Sequence, residues 1–173
     1  MIVLSDGDLL TADAEALVNA VNTVGVMGKG IALQFKQAHP ANYAAYRAAC
    51  AANDVRLGRM FVVDSGRAGR HRYVINFPTK GHWRAAAKLP DIRSGLSDLA
   101  RVVRERQIRS VAVPALGCGA GGLDWTVVEP MITQALADLP DVRVLVFPPE
   151  GVPISTGDPD RISCVAPVGR GGG

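Results

Sequence analysis

Residues 16–21 read ALVNAV, an apolar run broken only by Asn19, and lead straight into VNTVGVMGKGIALQF at residues 21–35. A strand with one wet face alternates polar and apolar side chains. An unbroken apolar run instead suits a strand buried on both faces, and such strands belong to parallel sheets flanked by helices. Gly25, Gly28 and Gly30 then turn the chain, and KGIALQFKQAHP has helical character until Pro40 stops it. The order recurs further on: RSVAVPAL at 109–116 is a buried strand, GCGAGGLDW at 117–125 a second glycine loop, and TVVEPMITQALADLP at 126–140 a helix.

The rest of the chain fits the same scheme. MIVLS predicts a first strand, DGDLL a turn out of it, and ADAEA a short helical turn. ANYAAYRAACAAN predicts a helix with Tyr43, Tyr46 and Cys50 at 3–4 spacing. GRMFVVDS and RYVINFP predict neighbouring strands joined by the basic loop GRAGRHR, the second strand ending at Phe77–Pro78. LPDIRSGLSDLARVVRERQI is amphipathic, with Ile92, Leu96, Leu99, Val102 and Val103 as its apolar stripe. VRVLVFPP predicts a last strand. Strands alternating with helices imply an α/β fold, a three-layer α/β/α domain on a mixed, mostly parallel sheet. It is expected over residues 1–149. Residues 150–173, rich in Gly, Pro and Ser, are expected to form a disordered tail.

Composition excludes several classes. No apolar run reaches the roughly 18 residues of a membrane span. The N-terminus lacks the basic start of a signal peptide, so a cytoplasmic location is expected. Cys50, Cys118 and Cys164 form no CxxC pair, and no His, Asp or Glu cluster has ligand spacing, so neither metal nor cofactor is expected. A formal charge of +3 permits contact with nucleic acid without requiring it. The basic excess is nearly all arginine, which draws attention to the lysines at 29, 36, 80 and 88.

Both glycine loops leave strands at the sheet edge where α/β proteins bind ligands. Successive backbone N–H groups there can converge on an anion, helped by a following helix N-terminus. Two such loops can straddle a diphosphate. Neither carries the GK[ST] of a P-loop, and neither is GxGxxG after the first strand. Asn19, inside an apolar strand, needs partners for its amide. Asn22 either closes a turn or faces a ligand. Asp8 either bonds its own turn or accepts an adenine amine. Lys80, just beyond a strand end, is a solvated loop lysine or a cation beside sugar and phosphate. His82, Trp83 and Arg84 follow it, either as a base-stacking aromatic among cations or with the indole covering the core edge. Asp124 is read as a helix N-cap, Trp125 as packing and Cys118 as a small filler.

Together GDLL, ALVNAVNTVGVMGKGIALQFK, GRMFVVDSG, INFPTKGHWR and LGCGAGGLDW resemble a macrodomain, the ADP-ribose-binding α/β/α fold. The glycine loop and the FPTK..W run are similar to one branch of it, the macrodomain of DarG antitoxins, related to the eukaryotic terminal ADP-ribose protein glycohydrolase. The resemblance implies that Gly25, Val26, Met27, Gly28, Lys29, Gly30 and Ile31 wrap the diphosphate and distal ribose. Gly117, Cys118, Gly119, Ala120, Gly121 and Gly122 form the opposite wall. Asp8 reads the adenine, with the Leu9 backbone beside it and Phe147 near the adenosine. Asn22 contacts the distal ribose, Asn19 and Thr79 belong to the binding set, and Lys80 sits at the anomeric carbon.

The activity implied is removal of ADP-ribose from thymidine in single-stranded DNA. Lys80 acts either as acid and electrostatic stabiliser or as nucleophile. His82, Trp83 and Arg84 contact the nucleic acid. The implied partners are ADP-ribose or ADP-ribosylated single-stranded DNA and a DarT-like toxin, with no membrane, for a monomeric chain. A hydrolase of ADP-ribosylated protein carboxylates and a non-catalytic ADP-ribose reader are the alternatives. The eukaryotic relative has an aspartate where this chain has Gly121, and Asp124 lies three residues further on, which favours a mechanism centred on Lys80.

Overall fold

The computed structural model describes residues 1–154; of the expected tail, residues 155–173 lie outside the described residues. Six strands form one sheet in the order β1-β6-β5-β2-β4-β3. They are β1 (Ile2–Leu4), β2 (Ala16–Asn22), β3 (Phe61–Asp64), β4 (Tyr73–Lys80), β5 (Ser110–Val113) and β6 (Arg143–Val146). All neighbours are parallel except β3, which runs antiparallel to β4 at one edge. The helices are α1 (Gly30–Ala38), α2 (Pro40–Ala51), α3 (Leu89–Glu105) and α4 (Trp125–Leu136). No helix among the described residues is long and apolar enough to cross a membrane.

β2 explains the architecture. Ala16 and Val18 pack into the cluster that holds Ile92, Leu96 and Leu99 of α3 and Val128 and Ile132 of α4. Leu17 packs with Phe35 of α1, and Val21 with Tyr46 and Cys50 of α2. Side chains alternate between faces, and both faces are apolar because both are covered. α3 comes so close to β4 that a Cβ at Gly95 would stand 2.3 Å from Cζ of Phe77. A helical glycine costs about 1 kcal/mol against alanine. Here it makes room for a buried ring.

Three details differ from the sequence reading. ADAEA is not helical; the turn comes earlier, as a 3-10 turn at Leu9–Thr11. The Asp8 carboxylate accepts the Leu10 N–H at 2.9 Å and caps it, while the Glu15 N–H downstream donates to Ser110 Oγ across 95 residues. Tertiary bonding overrides the local preference there. Pro40 does more than stop α1: it opens α2 at a position where its missing N–H costs nothing. Finally, β4 runs through Pro78 to Lys80. β3 pairs with β4 only as far as Asn76, so beyond it β4 has an open edge, where proline is tolerated.

Candidate functional site

The parallel strands end at a cleft of about 1430 Å³. That exceeds the roughly 300–1,000 Å³ of ordinary small-molecule pockets, so it suits a ligand with something attached. Asp8, Leu9 and Thr11 beyond β1, with Phe147 beyond β6, form one end. Asn22 of β2, Thr79 and Lys80 of β4, and Trp83 form the other. β1 and β4 are four strand spacings apart, so the two ends are separated by about 19 Å across the sheet. The carboxylates that line the cleft, Asp8 and Glu150, belong to the β1–β6 end.

One wall is the first glycine loop. Val26, Gly28, Lys29, Gly30 and Ile31 line the cleft. α1 begins here at Gly30, and no side chain caps it. Its first N–H groups and the positive end of its dipole therefore meet the cleft beside Lys29, an arrangement that favours an anion. Gly25 and Met27 face elsewhere. Gly25 turns the chain at φ +85°, a conformation side chains disfavour, and Met27 is buried as an anchor. Both line a second, smaller cavity of about 450 Å³ against α2.

The opposite wall is Gly117, Gly119, Ala120 and Gly121. A Cβ at Gly121 would stand 2.5 Å from the Gly117 carbonyl oxygen and 2.8 Å from Ala87 Cβ, so this loop admits no side chain there. Cys118 and Gly122 do not line the cleft. Burial, with the Asp124 charge adding to it, pushes the Cys118 thiol up to about 11, which keeps it protonated and unreactive. Asp124 caps α4, accepting from Thr126 N–H at 2.9 Å and Thr126 Oγ1 at 2.7 Å, and does not line the cleft. The Thr126 hydroxyl and backbone bonds hold its carboxyl below the ordinary range.

The two asparagines of β2 bond within the protein, though Asn19 Oδ1 is buried without a partner among the described residues. Asn22 donates to the Val26 carbonyl at 2.8 Å, and its Oδ1 accepts from the N–H groups of Val24 (3.1 Å) and Val26 (3.3 Å). It thereby closes the glycine loop on itself. Tyr46 Oη, fully buried, lies 2.7 Å from the Asn22 carbonyl oxygen and 3.0 Å from its Oδ1. Burial raises the Tyr46 pKa, so the hydroxyl stays a donor. Asn22 still lines the cleft and keeps one amide N–H for a ligand.

Asn19 does not line the cleft at all. It is fully buried, and its amide donates to Asn76 Oδ1 at 3.3 Å and reaches Met27 Sδ at 3.9 Å. Asn76 in turn exchanges two bonds with Asn42, at 2.8 and 3.2 Å. Asn19, expected in the binding set, faces α2, as Leu17 and Val21 face the helices on that side, and meets the loop from behind through Met27. Tyr46, Asn42 and Asn76 were missed as site residues. The one hint in the sequence was Tyr46, four residues from Cys50 on a helix following the loop.

At the far end β4 carries one extra residue. Pro78 pairs with Val21 and Lys80 with Asn22, so Thr79 is accommodated between them, and its Oγ1 donates to the Val21 carbonyl at 3.3 Å. Such bulges re-aim side chains beside sites. Lys80 is the last residue of the strand, half-buried, with Nζ donating to the Trp83 carbonyl at 3.0 Å. Trp83 is 42% exposed and does not cover the core. His82 stacks on it at 5.3 Å between centroids, and the Arg84 guanidinium lies 4.3 Å from its centroid. Trp83 lines the cleft; His82 and Arg84 stand beside it. No group of three His, Cys, Asp or Glu side chains able to hold a metal occurs among the described residues.

A sheet-edge cleft with two glycine loops and an uncapped helix start is complementary to an extended, anionic ligand. The Macro domain family model matches residues 18–132. The chain belongs to the macrodomain family. It is 57% identical over 151 residues to a DNA ADP-ribosyl glycohydrolase of Mycobacterium tuberculosis, covering 87% of this chain and 43% of that one. It is 52% identical over 143 residues to the Thermus aquaticus protein of the same name, covering 83% and 40%. The chain thus spans less than half the length of these curated relatives. Among solved structures, the macrodomain of Mycobacterium tuberculosis DarG superposes with a TM-score of 0.85, over 87% of this chain and 99% of that one. Thermosipho africanus DarTG in complex with ADP-ribose superposes with 0.83 at 32% identity, over 89% and 43%.

Proposed function

We propose that this chain is a DNA ADP-ribosyl glycohydrolase that frees ADP-ribose from thymidine in single-stranded DNA. The observation that carries the reading is Lys80, set by the β4 bulge opposite Asn22 at one end of the cleft, with Trp83 at its side. The names of the relatives point the same way. Adenine is read at the Asp8–Phe147 end, the diphosphate lies on the uncapped start of α1, and the distal ribose reaches Lys80. The modified strand leaves over Trp83, which stacks a base while Arg84 meets a phosphate.

Glycosidases commonly flank the bond with two carboxylates. Here the cleft's carboxylates belong to its other end, and Gly121 cannot be replaced by one without moving the loop. The work falls to Lys80. As the N-glycosidic bond breaks, positive charge builds on the ribose ring and the departing thymine takes the electron pair. The Lys80 ammonium stabilises that base and gives it a proton, and water adds at the anomeric carbon. Alternatively the Lys80 amine itself attacks that carbon as the bond to thymine breaks, the resulting glycosylamine opens its ring C–O bond to give a Schiff base, and water later hydrolyses that imine to free ADP-ribose. Borohydride trapping separates the two routes, since only the second leaves sugar on the enzyme.

A DarT-like toxin is the proposed source of the modified DNA. The substrate is tested by following ADP-ribose release from a single-stranded oligonucleotide modified at thymidine, beside a protein ADP-ribosylated on carboxylates. Release from the oligonucleotide, competed by unmodified single strands, is expected. Release from the protein alone would move the chain to the protein-directed activity, and release from neither would leave an ADP-ribose reader.

A further inference from the structure

The cavity behind the glycine loop is used by nothing described so far. It shares Val26 and Gly28 with the cleft, and its other wall is α1 and α2. Thr23 Oγ1 donates to the Gly81 carbonyl at 2.8 Å, tying the ends of β2 and β4, and the next residue, Val24, is the first to line the cavity. Through this bond Lys80, the neighbour of Gly81, and Val24, the neighbour of Thr23, are joined at the end of the sheet.

The cavity's chemistry repeats that of the Trp83 side. Lys36 Nζ lies 4.7 Å from the Tyr43 ring centroid, as Arg84 lies over Trp83. Arg47, one helical turn beyond Tyr43, has no ion pair or hydrogen bond among the described residues. No carboxylate lines the cavity. Val24 adds an apolar surface that is 46% exposed. The chain has four lysines, and three of them border the two cavities of this one loop: Lys29 and Lys80 the cleft, Lys36 the space behind. Cations without acidic partners beside an aromatic ring fit a phosphodiester with its base better than they fit a protein surface. At about 450 Å³ the space holds a nucleotide unit.

We infer that this cavity is a second single-strand site, resting on the DNA-directed reading above. A strand modified at an internal thymidine leaves Lys80 in two directions. The Trp83 side takes one flank and the Tyr43–Arg47–Lys36 side takes the other, so the substrate straddles the glycine loop. An internal thymidine is then a better substrate than a terminal one, and the loop is ordered by DNA behind it as well as by ADP-ribose in front.

The test uses a labelled, thymidine-containing single-stranded oligonucleotide followed by fluorescence anisotropy, with ADP-ribose affinity measured in parallel as a check on the fold. Both cations are exposed, so Lys36→Gln/Arg47→Gln is expected to fold and to bind ADP-ribose as wild type does. Losing two phosphate contacts should flatten the log–log salt slope by about 1.4 and weaken oligonucleotide binding by about tenfold near physiological salt. On modified oligonucleotide the loss should fall on KM and not on kcat. An unchanged slope and affinity in this variant, alongside weaker binding by Trp83→Ala, would overturn the second site and leave the DNA-directed reading intact. A wild-type chain that neither binds the oligonucleotide nor releases ADP-ribose from it would overturn both.

Discussion

Replacing Tyr46 by phenylalanine removes one oxygen and leaves the ring in place. That oxygen lies 2.7 Å from the Asn22 carbonyl and 3.0 Å from its side-chain oxygen, inside the protein. Ring volume is kept, so no cavity forms; what is lost is a donor to a buried acceptor, a deficit of about 1–3 kcal/mol. Part of it lowers global stability, and at about 2–4 °C per kcal/mol for a domain of this size a thermal melt reads it directly. The rest falls on the glycine loop, because Asn22 is the residue that closes it. If the whole loss falls there, ADP-ribose affinity drops by about 5- to 150-fold. Calorimetric titration of wild type and Tyr46→Phe, beside their melts, separates the shares. A lower melting temperature with unchanged affinity would refute the argument that Asn22 and Tyr46 position the loop, and would leave the pair as ordinary core bonding.

Gly121→Asp, which puts a carboxylate into the second glycine loop, should reduce both ADP-ribose binding and activity, because its Cβ would meet the Gly117 carbonyl at 2.5 Å; a gain in turnover would show that the loop moves freely. Asp124 has a folded pKa below its ordinary 3.8, so its cap on α4 contributes fully above that value and is lost as pH falls through the lowered one. Acid melts of wild type should lose stability in that window, and Asp124→Asn, which keeps a capping oxygen, should show a smaller loss. With burial pushing its thiol up to about 11, Cys118 should alkylate more slowly than a free thiol at pH 8, measured in a Cys50→Ser/Cys164→Ser background; alkylation as fast as the free thiol would refute that.

Much of the fold was legible because β2 and β5 are buried on both faces, and an unbroken apolar run is a strong signal. The glycine loops were legible as turns, since their residue types leave few other uses. The partners of buried polar groups were not. Asn19 in an apolar strand announces that an amide needs partners, but the oxygen its N–H group reaches belongs to Asn76, 57 positions away, and its own Oδ1 has no hydrogen-bond partner among the described residues. Tyr46 read only as one of three residues at 3–4 spacing on a helix, because spacing shows which way a ring points and not what its hydroxyl reaches. Trp83 could be placed only by tertiary structure: the same indole beside the same cations covers a core edge or faces solvent according to where the strand ends. ADAEA failed as a helical turn for a related reason, since the Glu15 N–H and the Ala14 and Glu15 carbonyls bond residues far along the chain.

Lys80 carries the proposed chemistry. Calorimetry with ADP-ribose and single-turnover release from thymidine-modified single-stranded DNA, on wild type and Lys80→Ala together, test it most directly. The expected result is binding close to wild type with release reduced by at least a factor of about 100, within the range of a general acid. Release by Lys80→Ala at the wild-type rate, with binding intact, would contradict it and place the chemistry elsewhere in the cleft.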